Sequence, residues 1–194
     1  FLLLFYFFVM SEEGFVNVLF SITSSISTSG LSIYSPKMDL SLFFILLTII
    51  GGSLISTSSG FKYTRIYILL KTSYQEIYKL VKPSNIIDKN LYNSDTKIDD
   101  QDVKIAFLVF ISFIASIFIL SSILTLDNLD FENSFKLSIL TLTNTTNSTL
   151  HGIDNLSFYD LGDFTKLSLI FFMILGKVEI IALLYLIKRF IFKE

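Results

Sequence analysis

The chain has 194 residues, 52% of them hydrophobic, with a formal net charge of −2 and a mean hydropathy of +0.67. That hydropathy excludes an ordinary water-soluble domain, because it comes from runs approaching the 20 or so apolar residues that span a bilayer. The lack of cysteine excludes a disulfide framework and a thiolate site, and nothing in the charge pattern points to nucleic acid as a partner.

Taken in chain order, residues 1–10 (FLLLFYFFVM) are apolar but too few to span, and they lack the flanks of a signal peptide. They read as the tail of a helix, so the sequence reads as a piece of a longer protein. Residues 15–31 start helix-like (FVNVLFSITSS) and turn to Ser, Thr and Gly. The apolar run Leu40–Ile50 leads into GGSLISTSSG at 51–60, whose glycines and serines predict a broken helix. A basic stretch follows, with Lys62, Arg65, Lys71, Lys79, Lys82, Lys89, Lys97 and Lys104. Ile105–Leu126 is long and apolar enough to span. Residues 131–149 repeat the earlier pattern, FENSFKLSILT passing into a hydroxyl and amide block, TNTTNST. The last apolar run, Leu167–Phe192, is interrupted by Lys177 and Glu179 and is followed by Lys193.

Lys and Arg near span ends mark the cytoplasmic side, which places 61–104 and the C-terminus inside and the acidic segments near 126–136 and 150–166 outside. Segments 15–31 and 131–149 then both begin and end outside, as re-entrant loops do. Non-helical backbone at membrane depth is tolerated only where protein buries it or it lines water. The two segments align without a gap at an offset of 116, with Phe15 on Phe131, Asn17 on Asn133, Ser25 on Thr141 and Gly30 on Thr146. The chain is thus expected to be an all-α integral membrane protein with two parallel helix–pore loop–helix repeats, 1–71 and 104–194, joined by a cytoplasmic connector, 72–103. The bland alternative makes both segments extramembrane loops or interfacial helices.

A loop of Ser, Thr, Asn and Gly dipping between two helices suits the dehydration of a small cation, since rings of backbone carbonyls can replace its water. The preceding helix would aim its partially negative C-terminus at the ion. The outer acids Asp127, Asp130, Glu132, Asp154, Asp160 and Asp163 would gather cations at the mouth. The single histidine, His151, reads as a surface loop residue. Lys177 lies about 16 Å from either end of its run at 1.5 Å per residue, and a mid-span charge is functional by default. Glu179 reads as a structural contact on another face of the same helix.

On these motifs the chain resembles the membrane subunit of the Trk/Ktr/HKT potassium-transporter superfamily, most closely the TrkH type. The stretches that carry the resemblance are SISTSGLS (25–32), GGSLISTSSGFKYTR (51–65), LTNTTNSTLHG (142–152) and LGKVEI (175–180). It implies four repeats round one pore, of which this chain would be the C-terminal half: half of a potassium-channel-like pore, with the second helix of its first repeat broken. Potassium would be held by filter strands at Ser27, Thr28, Ser29 and Gly30, and at Thr143, Asn144, Thr145 and Thr146. Gly51, Gly52, Ser53, Ser56, Thr57, Ser58, Ser59 and Gly60 would form an intramembrane gating loop. Lys177 would replace a pore-lining arginine, keeping the charge but losing the planar fork. Thr146 stands where the family has Gly, which bears on selectivity for potassium over sodium.

The resemblance further implies no cofactor and no metal other than potassium, no enzymatic activity, and a place in the bacterial inner membrane as a multi-pass protein. Its partners would be a second copy and a cytosolic nucleotide-binding regulatory subunit. The rival reading is a secondary transporter of another fold, binding substrate and sodium at the broken helix. An intramembrane enzyme would have only Lys177 and the serines of 53–59 to work with.

Overall fold

The computed structural model describes residues 14–32, 40–51, 59–81, 99–145, 149–153, 159 and 161–177. Among these, the chain forms α1 (Phe15–Ile26), α2 (Ser41–Ile49), β1 (Ile50–Gly51), β2 (Phe61–Lys62), α3 (Tyr63–Val81), α4 (Asp100–Leu126), α5 (Phe131–Leu142), a short 3-10 turn (Thr149–His151) and α6 (Asp163–Lys177).

α4 is the one described helix long and apolar enough to cross a membrane. At 1.5 Å per residue it is about 40 Å long. It starts earlier than the hydropathy suggested because DDQD supplies a capping box. The Asp99 carboxylate accepts from the helix start, and Asp102 accepts from the Asp99 N–H. One face is buried (Ala106, Val109, Phe113, Leu120, Leu124), while Phe107, Ile111, Phe118 and Ile119 on the other faces are exposed and equally apolar. A helix apolar all round belongs in a large core or in lipid.

α5 is central. It packs between α4 and α6, also touching α2, and every residue from Lys136 to Leu142 is buried. The main core joins Phe113, Leu120 and Leu124 of α4 to Leu137 and Leu140 of α5 and Phe172 of α6. A second cluster joins Val18 and Ile22 of α1, Phe44 of α2 and Leu150 of the 3-10 turn, so the outer limb of the second loop rests on the first two helices.

α1 turns an unusual face inward. Its buried stripe mixes Val18 and Ile22 with Ser21, Ser24 and Ser25, whereas Val16, Leu19 and Ile26 are exposed. The buried hydroxyls are satisfied locally: Ser21 Oγ donates to the Asn17 carbonyl and Ser25 Oγ to that of Ser21. Such local bonds are what non-aqueous surroundings demand of small polar residues.

The expected break is present as an end to α2 at Ile49. The chain becomes extended, and Ile50–Gly51 pairs in parallel with Phe61–Lys62. This two-residue bridge is a departure from a purely helical chain. Phe61, 5% exposed, anchors it on α4 against the rings of Phe110 and Phe113, with centroids 5.7 and 6.4 Å away. α3 follows at once and runs through residue 71 into the expected connector.

Candidate functional site

α1 and α5 end in the same way, 116 residues apart. In α1 the N–H groups of Ser27, Thr28 and Ser29 donate to the carbonyls of Thr23, Ser25 and Ser24; in α5 those of Thr143, Asn144 and Thr145 donate to Ile139, Thr141 and Leu140. This is the Schellman pattern, which needs a left-handed residue just past the cap. The position is most often glycine, but here it is Thr28, at φ 58°, and Asn144, at φ 50°. Asn tolerates that conformation. A β-branched Thr does not, and such strain, about 1–2 kcal/mol, persists where the surroundings over-determine it. Gly30 is also left-handed, at φ 70°.

The hydroxyls past both caps are knitted together. Ser24 Oγ lies 3.0 Å from Ser29 Oγ and donates to the Leu31 carbonyl; Ser27 Oγ donates to Ser29 Oγ and to the Ser24 carbonyl. In the second loop Thr143 Oγ1 lies 2.8 Å from Thr145 Oγ1 and bonds back to the Ile139 and Leu140 carbonyls. Thr28, Gly30, Thr143 and Thr145 are buried, Ser29 and Asn144 half-buried, and Ser27 exposed. The oxygens past each cap are neutral hydroxyls and carbonyls, at a helix C-terminus whose partial charge is negative. They suit a monovalent cation better than an anion.

The base of the second loop is held from two sides. The Asn144 amide donates to Ser59 Oγ (3.1 Å) and to the Met173 carbonyl of α6 (2.8 Å). One turn on, Gly176 meets α5 so closely that a Cβ there would lie 1.9 Å from the Leu142 carbonyl oxygen. Of the expected gating residues, Gly51 is in β1, Ser59 is buried, and Gly60 is left-handed at φ 92°. Lys177 is the last described residue of α6 and is exposed. Gly52, Ser53, Ser56, Thr57 and Ser58, Thr146, Asp154, Asp160 and Glu179 lie outside the described residues.

The outer limb of the second loop rests on Lys136, 5% exposed, whose ammonium donates to the Gly152 carbonyl (3.2 Å) and pairs with Glu132 (2.6 Å) one turn before it. The sequence reading gave Lys136 no role, although a charge inside the apolar run FKLSIL is one that needs a partner when the run is buried. His151, expected at the surface, is fully buried. The turn carries it inward next to Leu150, and burial pushes the imidazole down to about 4, so it is neutral at pH 7. Of the outer acids, Asp127 accepts from the Gly162 N–H at the start of α6 and Asp163 pairs with Lys166. Asp127 thus joins the end of α4 to the start of α6, the Asp163 pair lies within the first turn of α6, and Glu132 serves Lys136.

The description of a cation transport protein family, TrkH, matches residues 14–192. Among solved structures the chain is similar to the potassium transporter TrkH from Vibrio parahaemolyticus, with a TM-score of 0.79 and 25% identity, over 95% of this chain and 39% of that one. The chain therefore spans well under half the length of that relative. No curated protein matches significantly.

Proposed function

The chain belongs to the TrkH family of cation transport proteins, and from that premise we propose that it forms half of a membrane pore conducting monovalent cations, chiefly potassium. The observation that carries this reading is the matched pair of helix ends, each with its left-handed residue and its buried hydroxyls. In this reading α1 and α5 are pore helices of two parallel repeats, and residues 27–30 and 143–146 are filter strands. The interrupted segment 51–60 gates beneath them, with Lys177 on the permeation path. The upstream half of the protein supplies two further repeats. The assembly sits in the bacterial inner membrane as a homodimer, with a nucleotide-binding regulatory subunit on its cytosolic face. A secondary transporter of another fold is not favoured by the family, and the family is one of transporters, not of enzymes.

Full-length protein in proteoliposomes should take up rubidium down a potassium gradient, and folded protein without flux contradicts the reading. The same assay bears on Thr146, which aligns with left-handed Gly30. A β-branched residue at a left-handed position displaces its carbonyl or strains the strand. Thr146→Gly should raise the potassium-to-sodium flux ratio by about fivefold, taking roughly 1 kcal/mol for one restored ligand. An unchanged or lower ratio would show that Thr146 does not relax selectivity.

A further inference from the structure

Among the described residues Lys136 is the one buried lysine or arginine, at 5% exposed. It lies in the middle of α5, two turns before the cap at Thr143, or about 10 Å along the axis at 1.5 Å per residue. Its ammonium donates to the Gly152 carbonyl (3.2 Å) and pairs with Glu132 (2.6 Å). The second loop therefore leaves α5 at Thr143 and by Gly152 has come back within reach of the helix it left. Gly152 is left-handed and sits close against both Ser41 of α2 and the Lys136 ammonium, where a Cβ would meet both.

Apolar packing already seats this limb. Leu150 joins the cluster of α1 and α2, and Ile153 joins the main core. A buried ion is a poor way to add stability, since its desolvation offsets most of its attraction. What it adds is direction: the ammonium holds one carbonyl at one place against α5. The Glu132 side chain is 77% exposed and that of Lys136 6%, so the carboxylate stays hydrated while it balances the buried charge. At the offset of 116 the first of these helices carries Val16 and Phe20 in place of Glu132 and Lys136. The first loop has no such pair at these positions.

We propose that Lys136 is a positioning residue that determines ion specificity: its bond to Gly152 fixes the outer limb of the second loop, and with it the spacing of the ligands at Thr143, Asn144 and Thr145. The proposal rests on the filter reading above. Only residues 146–148 join Thr145 to the 3-10 turn. Each residue spans at most about 3.6 Å, and a link that short passes a shift of the limb on to the strand. Potassium and sodium differ in size and not in charge. A change in ligand spacing therefore alters the ratio of their fluxes, whereas a change in local charge scales both alike.

The test is the potassium-to-sodium flux ratio of full-length protein in proteoliposomes. Lys136→Met keeps the length and apolar stem but removes the donor, and leaves no buried charge behind. Lys136→Arg keeps a charged donor. Lys136→Met should lower the ratio about tenfold, the worth of a hydrogen bond to a charged group, and Lys136→Arg should restore most of it. An unchanged ratio, or a fall of both fluxes by one factor, overturns the proposal, because a merely structural role or the lost charge would do no more than that. If Lys136→Met does not fold, Lys136→Gln takes its place: its amide nitrogen falls one bond short of the carbonyl, and it should lower the ratio in the same way. A second readout does not need conduction. Amide hydrogen exchange over 149–153 should quicken severalfold in Lys136→Met and not in Lys136→Arg, and equal exchange in all three proteins overturns the tie. A folded wild type that carries no cation defeats the filter reading and the specificity role with it. Conduction with an unchanged ratio defeats the specificity role alone.

Discussion

Gly176→Ala is expected to cost more than any other single methyl group in the described chain. The added Cβ would lie 1.9 Å from the Leu142 carbonyl oxygen, 2.7 Å from its carbon and 3.0 Å from its Cα. All three are backbone atoms, so no rotamer change relieves the clash. α6 would have to withdraw from α5 by more than about 1.5 Å to restore ordinary contact. That withdrawal loosens Phe172 and Leu175 in the main core and stretches the Asn144–Met173 bond. Overpacking of this kind costs about 1–3 kcal/mol and sometimes more, and here the upper end is expected. Small residues at helix contacts are what allow backbones to approach in membranes. The measurement is the melting midpoint of full-length protein in detergent, with rubidium uptake alongside. A drop of several degrees with impaired flux is expected, while Gly176→Ala at wild-type values of both would mean that the two helices do not meet this closely.

Gly152→Ala is expected to come second, and its cost can be split. Gly152 is left-handed, at φ 63°, where a side chain adds about 1–2 kcal/mol of strain. Its added Cβ would also stand 2.8 Å from the Ser41 Cβ and 3.2 Å from the Lys136 ammonium nitrogen. Removing the Ser41 side chain takes away the nearest obstacle but leaves the backbone strain. The double variant Ser41→Gly, Gly152→Ala should therefore recover part of the stability lost by Gly152→Ala, measured against Ser41→Gly alone. Melting midpoints of the four proteins give the split. Full additivity would mean that residues 41 and 152 are not in contact, and that the outer limb of the second loop does not rest on α2.

Much of this is legible in the sequence, for physical reasons that differ from place to place. The offset of 116 was visible because the chemistry that ends a helix and opens a hydroxyl loop is local. The same two caps form because Ser27-Thr28-Ser29 and Thr143-Asn144-Thr145 follow helices of the same length. The interruption after Ile49 was visible because Gly-Gly followed by serines weakens a helix whatever surrounds it. The early start of α4 was also in the sequence, in Asp99 and Asp102, but hydropathy alone ignores caps.

Other features depend on parts of the chain far apart in sequence. The parallel pairing of 50–51 with 61–62 is a tertiary arrangement, anchored by Phe61 on α4. The ties from Asn144 to Ser59 and from Lys136 to Gly152 have no local signature beyond the donors themselves. His151 was misplaced because a lone histidine with no cysteine or carboxylate cluster near it gives no sign of its depth in the fold. A turn's composition does not say which of its residues point inward; here Leu150 packs on α1 and α2, and His151 beside it is buried as well.

The central claim is that residues 27–30 and 143–146 form two strands of a cation filter. The most direct measurement is the anomalous density of rubidium or thallium in crystals of the full-length protein. The account predicts ions on the pore axis, ligated by backbone carbonyls or hydroxyls of residues 27–30 and 143–146 and displaced by excess potassium. Ions found only at outer carboxylates such as Asp130, with those two loops empty in a protein that still carries rubidium, would contradict it.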